Sequence, residues 1–265
     1  MSNDQREDAA RPTTSSDTID LEGKTAIVTG GSRGLGRGVV EALAARRVQV
    51  VAVARDAARL DALAREVPGV RTIAADASDE IAAGKIQQDV RPDVIVLCAG
   101  VAPLLRPIHQ HTWETFSQVF QVDTKMAFTW LRDALLLPMA PGGHVVVVSS
   151  GAALRGSPVS GGYAAAKRAQ WFLADYAAQE SARLGLGLRV HCLLPQLNPS
   201  TELGRAAIAA YAGRAGIEVA TFEKRFAPPL TPAIMGRAVA DLLAAPARFP
   251  DLTYQIGSAG LAPLG

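Results

Sequence analysis

The sequence predicts an α/β fold: a doubly wound, seven-stranded parallel sheet of the Rossmann-like kind, in a single domain. Short apolar runs typical of buried parallel strands alternate with stretches of helical periodicity. A glycine-rich turn over residues 30–36 joins the first run to the first helical pattern. The 265 residues are 49% hydrophobic and 20% charged, which suits one domain of this class with a large core.

Seven apolar runs are predicted to form the strands, at residues 24–29, 48–53, 70–77, 93–100, 144–148, 188–195 and 252–257. Helical periodicity is predicted between them, including one helix across residues 113–135 and another that opens at Tyr163. Residues 1–18 are polar and lack the apolar core of a secretory signal, so we expect a flexible tail before a domain that spans residues 19–265.

Charge and cysteine content narrow the class of partners. The net charge is +2 with scattered lysines and arginines, which argues against nucleic acid as the main partner. No stretch approaches the roughly 18 apolar residues of a membrane span, so none is predicted. Cys98 and Cys192 lie in apolar runs, and a reduced, cytoplasmic protein is the default expectation. His109 and His111 have no Cys or carboxylate at ligand spacing in their loop, so no metal site is predicted.

The glycine-rich turn is the first candidate site. Gly30, Gly34 and Gly36 follow the first predicted strand and open the first predicted helix. This order of strand, turn and helix suits a dinucleotide, because free N–H groups at a helix start bind phosphate. Glycine there lets the backbone approach the phosphates, which a side chain would hold away. The predicted dinucleotide site also includes Ser32, Arg33 and Leu35 of the same turn.

The end of the second predicted strand selects between NAD and NADP. An acidic residue there would accept from the ribose 2′-hydroxyl and repel a 2′-phosphate. This chain has Ala54 followed by Arg55, and Arg33 is a second cation for the same phosphate. Because a guanidinium can bind phosphate through two hydrogen bonds, the pair predicts NADP(H) as cofactor. The alternative is two solvated arginines near Asp56.

A second candidate site lies between residues 149 and 167. The run 144–148 ends in Ser149 and Ser150, and Tyr163 and Lys167 follow at i, i+4 spacing, which places them on one helix face. An ammonium near a phenol lowers the phenol pKa from about 10, as a tyrosine that exchanges protons near neutrality requires. The alternative is an alanine-rich helix start without chemistry.

Together these motifs resemble the short-chain dehydrogenase/reductase family. They are the turn TGGSRGLG, the strand that ends in Ser150, the thirteen-residue gap to Tyr163, and YAAAK. The resemblance covers about residues 20–260 and is specific because the motifs occur in the family's order. It implies reversible hydride transfer between NADP(H) and a carbonyl or secondary alcohol of a small molecule, with reduction as the expected direction.

The resemblance also implies catalytic roles. Ser150 would polarise the substrate oxygen, Tyr163 would exchange the proton, and Lys167 would lower the tyrosine pKa and bind the nicotinamide ribose. The thirteen-residue gap favours Ser150 over Ser149. Asp123 stands where the family has a catalytic Asn. Its carboxylate would stabilise the ammonium, partly offset the effect on Tyr163 and shift the pH profile.

Further cofactor contacts are implied by matching positions. Asp76 could contact adenine, or could instead cap the following helix. Leu97 and Cys98 replace the family's two asparagines, so the stabilisation that those amides provide must come from elsewhere. Gln196 replaces a glycine beside the nicotinamide. The implied contacts are Asp76, Ala77, Cys98, Ala99, Gly100, Tyr163, Lys167 and Pro195.

Residues 197–230 do not continue the alternation of strand and helix. We predict a lid over a medium-sized, partly apolar substrate, because insertions at the carboxyl end of a strand usually cover the site; the alternative is a helix pair in subunit contact. The resemblance implies a homodimer or homotetramer formed through helices near residues 113–137 and 163–180. Two rival functions stay open: a 3-oxoacyl thioester reductase that serves a carrier protein, and a non-catalytic NADP(H) sensor or scaffold.

Overall fold

The computed structural model describes residues 18–137 and 139–264, so the predicted tail, residues 1–18, lies outside the described residues except for Thr18. The strands are β1 Thr25–Thr29, β2 Gln49–Ala54, β3 Arg71–Ala74, β4 Val94–Leu97, β5 His144–Val148, β6 Arg189–Pro195, β7 Thr253–Gly257 and β8 Gly260–Pro263. The helices are α1 Gly34–Ala45, α2 Ala57–Glu66, α3 Glu80–Val90, α4 Trp113–Val119, α5 Lys125–Leu136, α6 Ala152–Arg155, α7 Gly161–Arg183, α8 Glu202–Ala215, α9 Val219–Glu223 and α10 Pro232–Ala244.

The strands form one sheet in the order β3-β2-β1-β4-β5-β6-β7-β8. β1 to β7 are parallel and correspond to the seven predicted runs, although the third run is shortened to Arg71–Ala74. The doubly wound parallel sheet is therefore confirmed. The sequence analysis missed β8, which pairs antiparallel with β7 at the edge of the sheet. Strand order reverses between β1 and β4, where the carboxyl ends of the strands open a crevice.

Helices cover both faces of the sheet. One core cluster joins the sheet to α1, α2 and α10, and a second joins it to α3, α5 and α7. Every residue of β4 and β5 is buried, as expected for parallel strands between two helical layers. This burial explains why both strands read as continuous apolar runs in the sequence.

Helix α1 is held against α10 by backbone contact. A Cβ on Gly38 would lie 2.0 Å from the carbonyl oxygen of Pro232, and a Cβ on Gly236 would lie 2.1 Å from that of Gly38. Only glycine allows this approach. The contact fixes the position of α1, whose first turn borders the crevice.

The prediction of one helix across residues 113–135 was wrong at its centre. A π-helical turn, Phe120–Thr124, separates α4 from α5. Within it, the backbone carbonyl of Asp123 accepts a hydrogen bond from the side chain of Gln170 at 2.8 Å. Such turns re-aim side chains and are frequent at functional sites, and this one directs Asp123 into the crevice.

Within the described part of the chain, no helix combines the length and apolar character needed to cross a membrane. Among the same residues, no three His, Cys, Asp or Glu side chains group so that they could hold a metal ion.

Candidate active site

The crevice at the carboxyl edge of the sheet opens into a cavity of about 1390 Å³. Every residue that the sequence analysis assigned to catalysis or cofactor binding lines this cavity, together with residues of the predicted lid. The fold thus brings together side chains that lie far apart in the sequence. The residues in question are Gly30, Ser32, Arg33, Gly34, Leu35, Gly36, Arg55, Asp76, Ala77, Cys98, Ala99, Gly100, Asp123, Ser150, Tyr163, Lys167 and Pro195.

The glycine turn packs too closely for side chains. A Cβ on Gly30, which has a φ of +68°, would lie 2.8 Å from the Cα of Ala99. A Cβ on Gly36 would lie 2.4 Å from the carbonyl oxygen of Gly30. Arg33 is the N-cap of α1 and makes no side-chain cap, so the first N–H groups of that helix remain available to an anion. The residues present therefore fit a dinucleotide phosphate at this turn.

Thr29 of β1 contacts the segment that follows β4. Its hydroxyl accepts hydrogen bonds from the backbone N–H groups of Cys98 at 3.1 Å and Ala99 at 3.2 Å. Burial raises the pKa of the Cys98 thiol to about 11, so the thiol stays neutral beside the cofactor site. The end of β4 is therefore held from β1.

Asp76 does not cap α3. Its carboxylate accepts hydrogen bonds from the backbone N–H of Ser78 at 2.9 Å and from the Ser78 hydroxyl at 2.7 Å, and these bonds hold its pKa below the usual value. Asp79 caps α3 instead, because it accepts from the N–H groups of Ile81 and Ala82. The turn that begins at Asp76 presents Asp76 and Ala77 to the cavity.

The two serines after β5 have different environments. The Ser149 hydroxyl is buried and donates to the backbone carbonyl of Lys167 at 2.7 Å, which ties the strand end to α7. Ser150 lines the cavity with Tyr163, and its hydroxyl accepts from the N–H of Ala152 at 3.1 Å. The neighbouring turn is fixed by a 2.8 Å hydrogen bond from the Gly151 N–H to the Pro195 carbonyl. Both serines line the cavity, but the Ser149 hydroxyl donates within the fold, so the geometry favours Ser150 for a substrate contact.

Lys167 is held in a buried polar network below Tyr163. Its ammonium lies 5.4 Å from the centroid of the tyrosine ring, 3.1 Å from a carboxylate oxygen of Asp123 and 2.9 Å from the side-chain oxygen of Gln170. The second oxygen of Asp123 accepts from the N–H of Val101 at 2.9 Å. Asp123 and Lys167 are both buried, so the pair is a desolvated ion pair with hydrogen-bonded partners.

Lys167 lowers the pKa of Tyr163, as expected, but burial acts in the opposite direction. Burial of the phenol raises its pKa above the ordinary value, and this effect exceeds the lowering by Lys167 and Ser150. Asp123 adds to the rise. Burial also opposes the charge on Lys167, but Asp123 raises the pKa of Lys167 above its usual value. The site therefore holds a protonated phenol beside a charged ammonium.

Three arginines from neighbouring segments line the cavity: Arg33 of the glycine turn, Arg55 after β2 and Arg59 of α2. The sequence analysis missed Arg59. Arg33 forms an ion pair with Glu202, the first residue of α8, and Arg59 lies 3.5 Å from the same carboxylate. The alternative to a phosphate site was two solvated arginines near Asp56. Asp56 instead pairs with Arg59 at 3.2 Å, not with Arg33 or Arg55.

Aromatic residues of the segment predicted to form a lid also line the cavity. Tyr211 stacks on Phe222 at 5.9 Å between ring centroids, and Phe226 lies 5.7 Å from Phe222. The hydroxyl of Tyr211 hydrogen bonds to that of Ser157, in the loop between α6 and α7. The guanidinium of Arg225 lies 4.8 Å above the Phe222 ring. The cavity therefore has an aromatic wall with a cation beside it.

The sequence analysis missed several residues of the candidate site. Gln170 lies three positions after Lys167 on α7, so helical spacing could have indicated it. Arg59 lies in the first turn of α2, directly after the end of β2. Thr29 directly precedes the glycine turn. Glu202 gave no signal, because its partner Arg33 lies 169 residues away.

Known proteins with similar sequences and folds agree on one family. The model of the short chain dehydrogenase family matches residues 24–211. L-xylulose reductase from Bos taurus is 36% identical over 194 residues, which cover 71% of this chain and 76% of that protein. NAD⁺-bound xylitol dehydrogenase has a TM-score of 0.79 at 18% identity, with 90% of this chain and 99% of that chain covered. 3-Ketoacyl-(acyl-carrier-protein) reductase from Brucella melitensis, complexed with NADH, has a TM-score of 0.74 at 23% identity, with 88% and 96% covered. The chain therefore belongs to the short-chain dehydrogenase/reductase family and is an oxidoreductase that uses a nicotinamide cofactor.

Proposed function

We propose that this chain is an NADP(H)-dependent reductase of a ketone, acting reversibly on the corresponding secondary alcohol, with Tyr163 as the general acid. One observation carries the proposal: Ser150, Tyr163 and the charged Lys167 line one cavity together with the glycine turn. Bound NADPH would supply a hydride to the carbonyl carbon. Tyr163 then gives its proton to the carbonyl oxygen, so that ketone, hydride and proton yield the alcohol.

The protonation states of the side chains support reduction. The raised pKa of Tyr163 keeps the phenol protonated near neutrality, ready to donate. The Lys167 ammonium lies beside it and stabilises the phenolate that forms when the proton leaves. The Ser150 hydroxyl can donate to the carbonyl oxygen and polarise it. The buried contacts of Lys167 with Asp123 and Gln170 hold the ammonium in place during this step.

Substitution of Tyr163 tests the proposal. With NADPH and a screen of ketones, followed by the absorbance of the reduced nicotinamide, Tyr163→Phe should lower kcat about 10³-fold while it leaves the Kd for NADPH within about twofold. Tyr176→Phe, at an exposed position on the same helix α7, is the matched control and should behave as wild type. Equal rates for wild type and Tyr163→Phe would rule out the assigned role. Cofactor binding without turnover of any carbonyl would favour the sensor or scaffold.

The proposed choice of NADP(H) rests on the end of β2. Ala54 offers no carboxylate to a ribose 2′-hydroxyl, and Arg33 and Arg55 both border the cavity. Arg55→Gln should weaken NADPH binding about tenfold and change NADH binding little, because only NADPH carries the 2′-phosphate. An equal loss for both cofactors would contradict the assignment.

The substrate that we propose is a medium-sized, partly apolar ketone. The aromatic wall of Tyr211, Phe222 and Phe226 supports it. A second candidate is a 3-oxoacyl thioester, because Arg155, Arg205 and Arg225 also line the cavity and would attract an anionic carrier group. Parallel assays with L-xylulose, an aryl ketone and acetoacetyl-coenzyme A separate a polar sugar, an apolar ketone and a thioester. The substrate with the highest kcat/KM decides.

We also propose a homodimer or homotetramer. Phe128 on α5 and Phe172 and Tyr176 on α7 expose large apolar surfaces on neighbouring helices. Phe172→Glu should shift the mass measured by light scattering towards the monomer, whereas an unchanged mass would exclude this face as the contact. The cytoplasmic location stays a prediction.

A further inference from the structure

The carboxylate of Glu202 joins the predicted lid to the cofactor half of the molecule. Glu202 is the first residue of α8, and Thr201 caps that helix by accepting from the N–H of Gly204. One carboxylate oxygen of Glu202 pairs with Arg33 of the glycine turn, and the other lies 3.5 Å from the guanidinium of Arg59 in the first turn of α2. The carboxylate of Glu202 is thus shared by two arginines, one in the glycine turn and one in α2.

These cations lie where the adenosine ribose of a dinucleotide is expected. In doubly wound folds, the residue at the end of the second strand meets that ribose, and Arg55 follows β2 directly. Arg33, Arg59 and Glu202 line the same cavity as Arg55. The Glu202 carboxylate therefore pairs with arginines that would otherwise bind a 2′-phosphate.

The ion pairs of Glu202 can be exchanged. Arg33, Arg59 and Glu202 have side chains that are 57%, 44% and 59% exposed, and exposed pairs of this kind contribute little to stability. A phosphate monoester carries more negative charge than a carboxylate and accepts bidentate hydrogen bonds from a guanidinium. A 2′-phosphate can therefore displace Glu202 from both arginines, whereas NAD(H) has no such group and leaves the pairs in place.

We infer that Glu202 is a specificity-determining residue that competes with the 2′-phosphate of NADP(H) for Arg33 and Arg59, and so lowers the preference for NADP(H) over NAD(H). The inference rests on the proposed placement of the adenosine ribose at Arg33 and Arg55. It adds two residues to those that select between NADP(H) and NAD(H). Arg59 would be a further phosphate ligand, and Glu202 the anion that competes with the phosphate.

Binding measurements without substrate test this inference. We would titrate wild type, Glu202→Gln and Arg59→Gln with NADPH, NADH, 2′,5′-ADP and 5′-AMP by calorimetry. Glu202→Gln should tighten NADPH and 2′,5′-ADP about three- to tenfold and change NADH and 5′-AMP by less than about twofold, as expected when one exposed like charge is removed. Arg59→Gln should weaken the two phosphate-bearing ligands by a similar factor.

The control is Glu218→Gln. Glu218 is an exposed lid residue outside the cavity and outside the observed ion pairs, so its substitution changes the net charge equally and should leave all four affinities unchanged. The inference is overturned if Glu202→Gln weakens NADPH binding or leaves it unchanged, or if Glu202→Gln and Glu218→Gln tighten it equally. If the wild type binds NADH more tightly than NADPH, the proposed NADP(H) dependence is refuted. The competition would still be supported if Glu202→Gln raised the affinity for NADPH relative to that for NADH.

Discussion

The carboxylate of Asp123 is buried beside Lys167, and Asp123→Asn measures its effect on the proposed reaction. Its carboxylate lies 3.1 Å from the Lys167 ammonium, which in turn lies 5.4 Å from the centroid of the Tyr163 ring. The carboxylate oxygen therefore lies at most about 8.5 Å from the ring centroid, and Coulomb's law with an effective dielectric constant near 20 gives on the order of 2 kcal/mol at that distance.

The sign of the shift follows from the charges. Asp123 raises the pKa of Tyr163, so its replacement by an uncharged amide should lower that pKa. Reduction requires the protonated phenol, and its rate falls as pH rises through the pKa of Tyr163. In Asp123→Asn this basic limb should therefore move to lower pH. Oxidation of the alcohol requires the phenolate, and its acidic limb should move in the same direction.

The assay is kcat/KM against pH in both directions, for wild type, Asp123→Asn and Gln170→Glu. Gln170→Glu places a carboxylate where a neutral side chain now contacts Lys167 at 2.9 Å, and should move both limbs to higher pH. Superimposable profiles for wild type and Asp123→Asn would refute the electrostatic role of Asp123. A shift to higher pH would show instead that Lys167 loses its proton when the carboxylate is removed.

Three further predictions concern packing, stability and the lid. Gly38→Ala should lower the free energy of unfolding by about 3 kcal/mol, because its Cβ would lie 2.0 Å from a carbonyl oxygen of α10, whereas Gly213→Ala, with nothing within 4 Å, should not destabilise. His144 has a pKa lowered to about 4 by burial, His191 and Arg189. Its contribution to stability is therefore complete above pH 6.5 and is lost as pH falls towards 4, by about 3 kcal/mol in urea unfolding, and His144→Gln should flatten this dependence. Tyr211→Phe removes the hydrogen bond to Ser157. This change should raise the KM for substrate about fivefold and leave the affinity for NADPH unchanged. A fall in kcat alone would contradict a positioning role for the lid.

The elements that sequence reasoning placed well depend on local patterns. Apolar runs in β4 and β5 gave their positions because strands buried on both faces need apolar residues throughout. The π-helical turn at Asp123 and the strand β8 were missed. The first depends on contacts with α7 that periodicity does not reveal, and the second is a short edge strand stabilised by pairing with β7.

The sequence by itself determined the doubly wound sheet, the glycine turn and the set of Ser150, Tyr163 and Lys167, because each follows from residue type and spacing within a short stretch. Tertiary structure alone decided the balance of charges around them. Burial of Tyr163 outweighs the ammonium, and Glu202 meets Arg33 across 169 residues of chain. Desolvation and Coulomb interactions depend on distances in space, and those distances exist only after the sheet and its helices have packed.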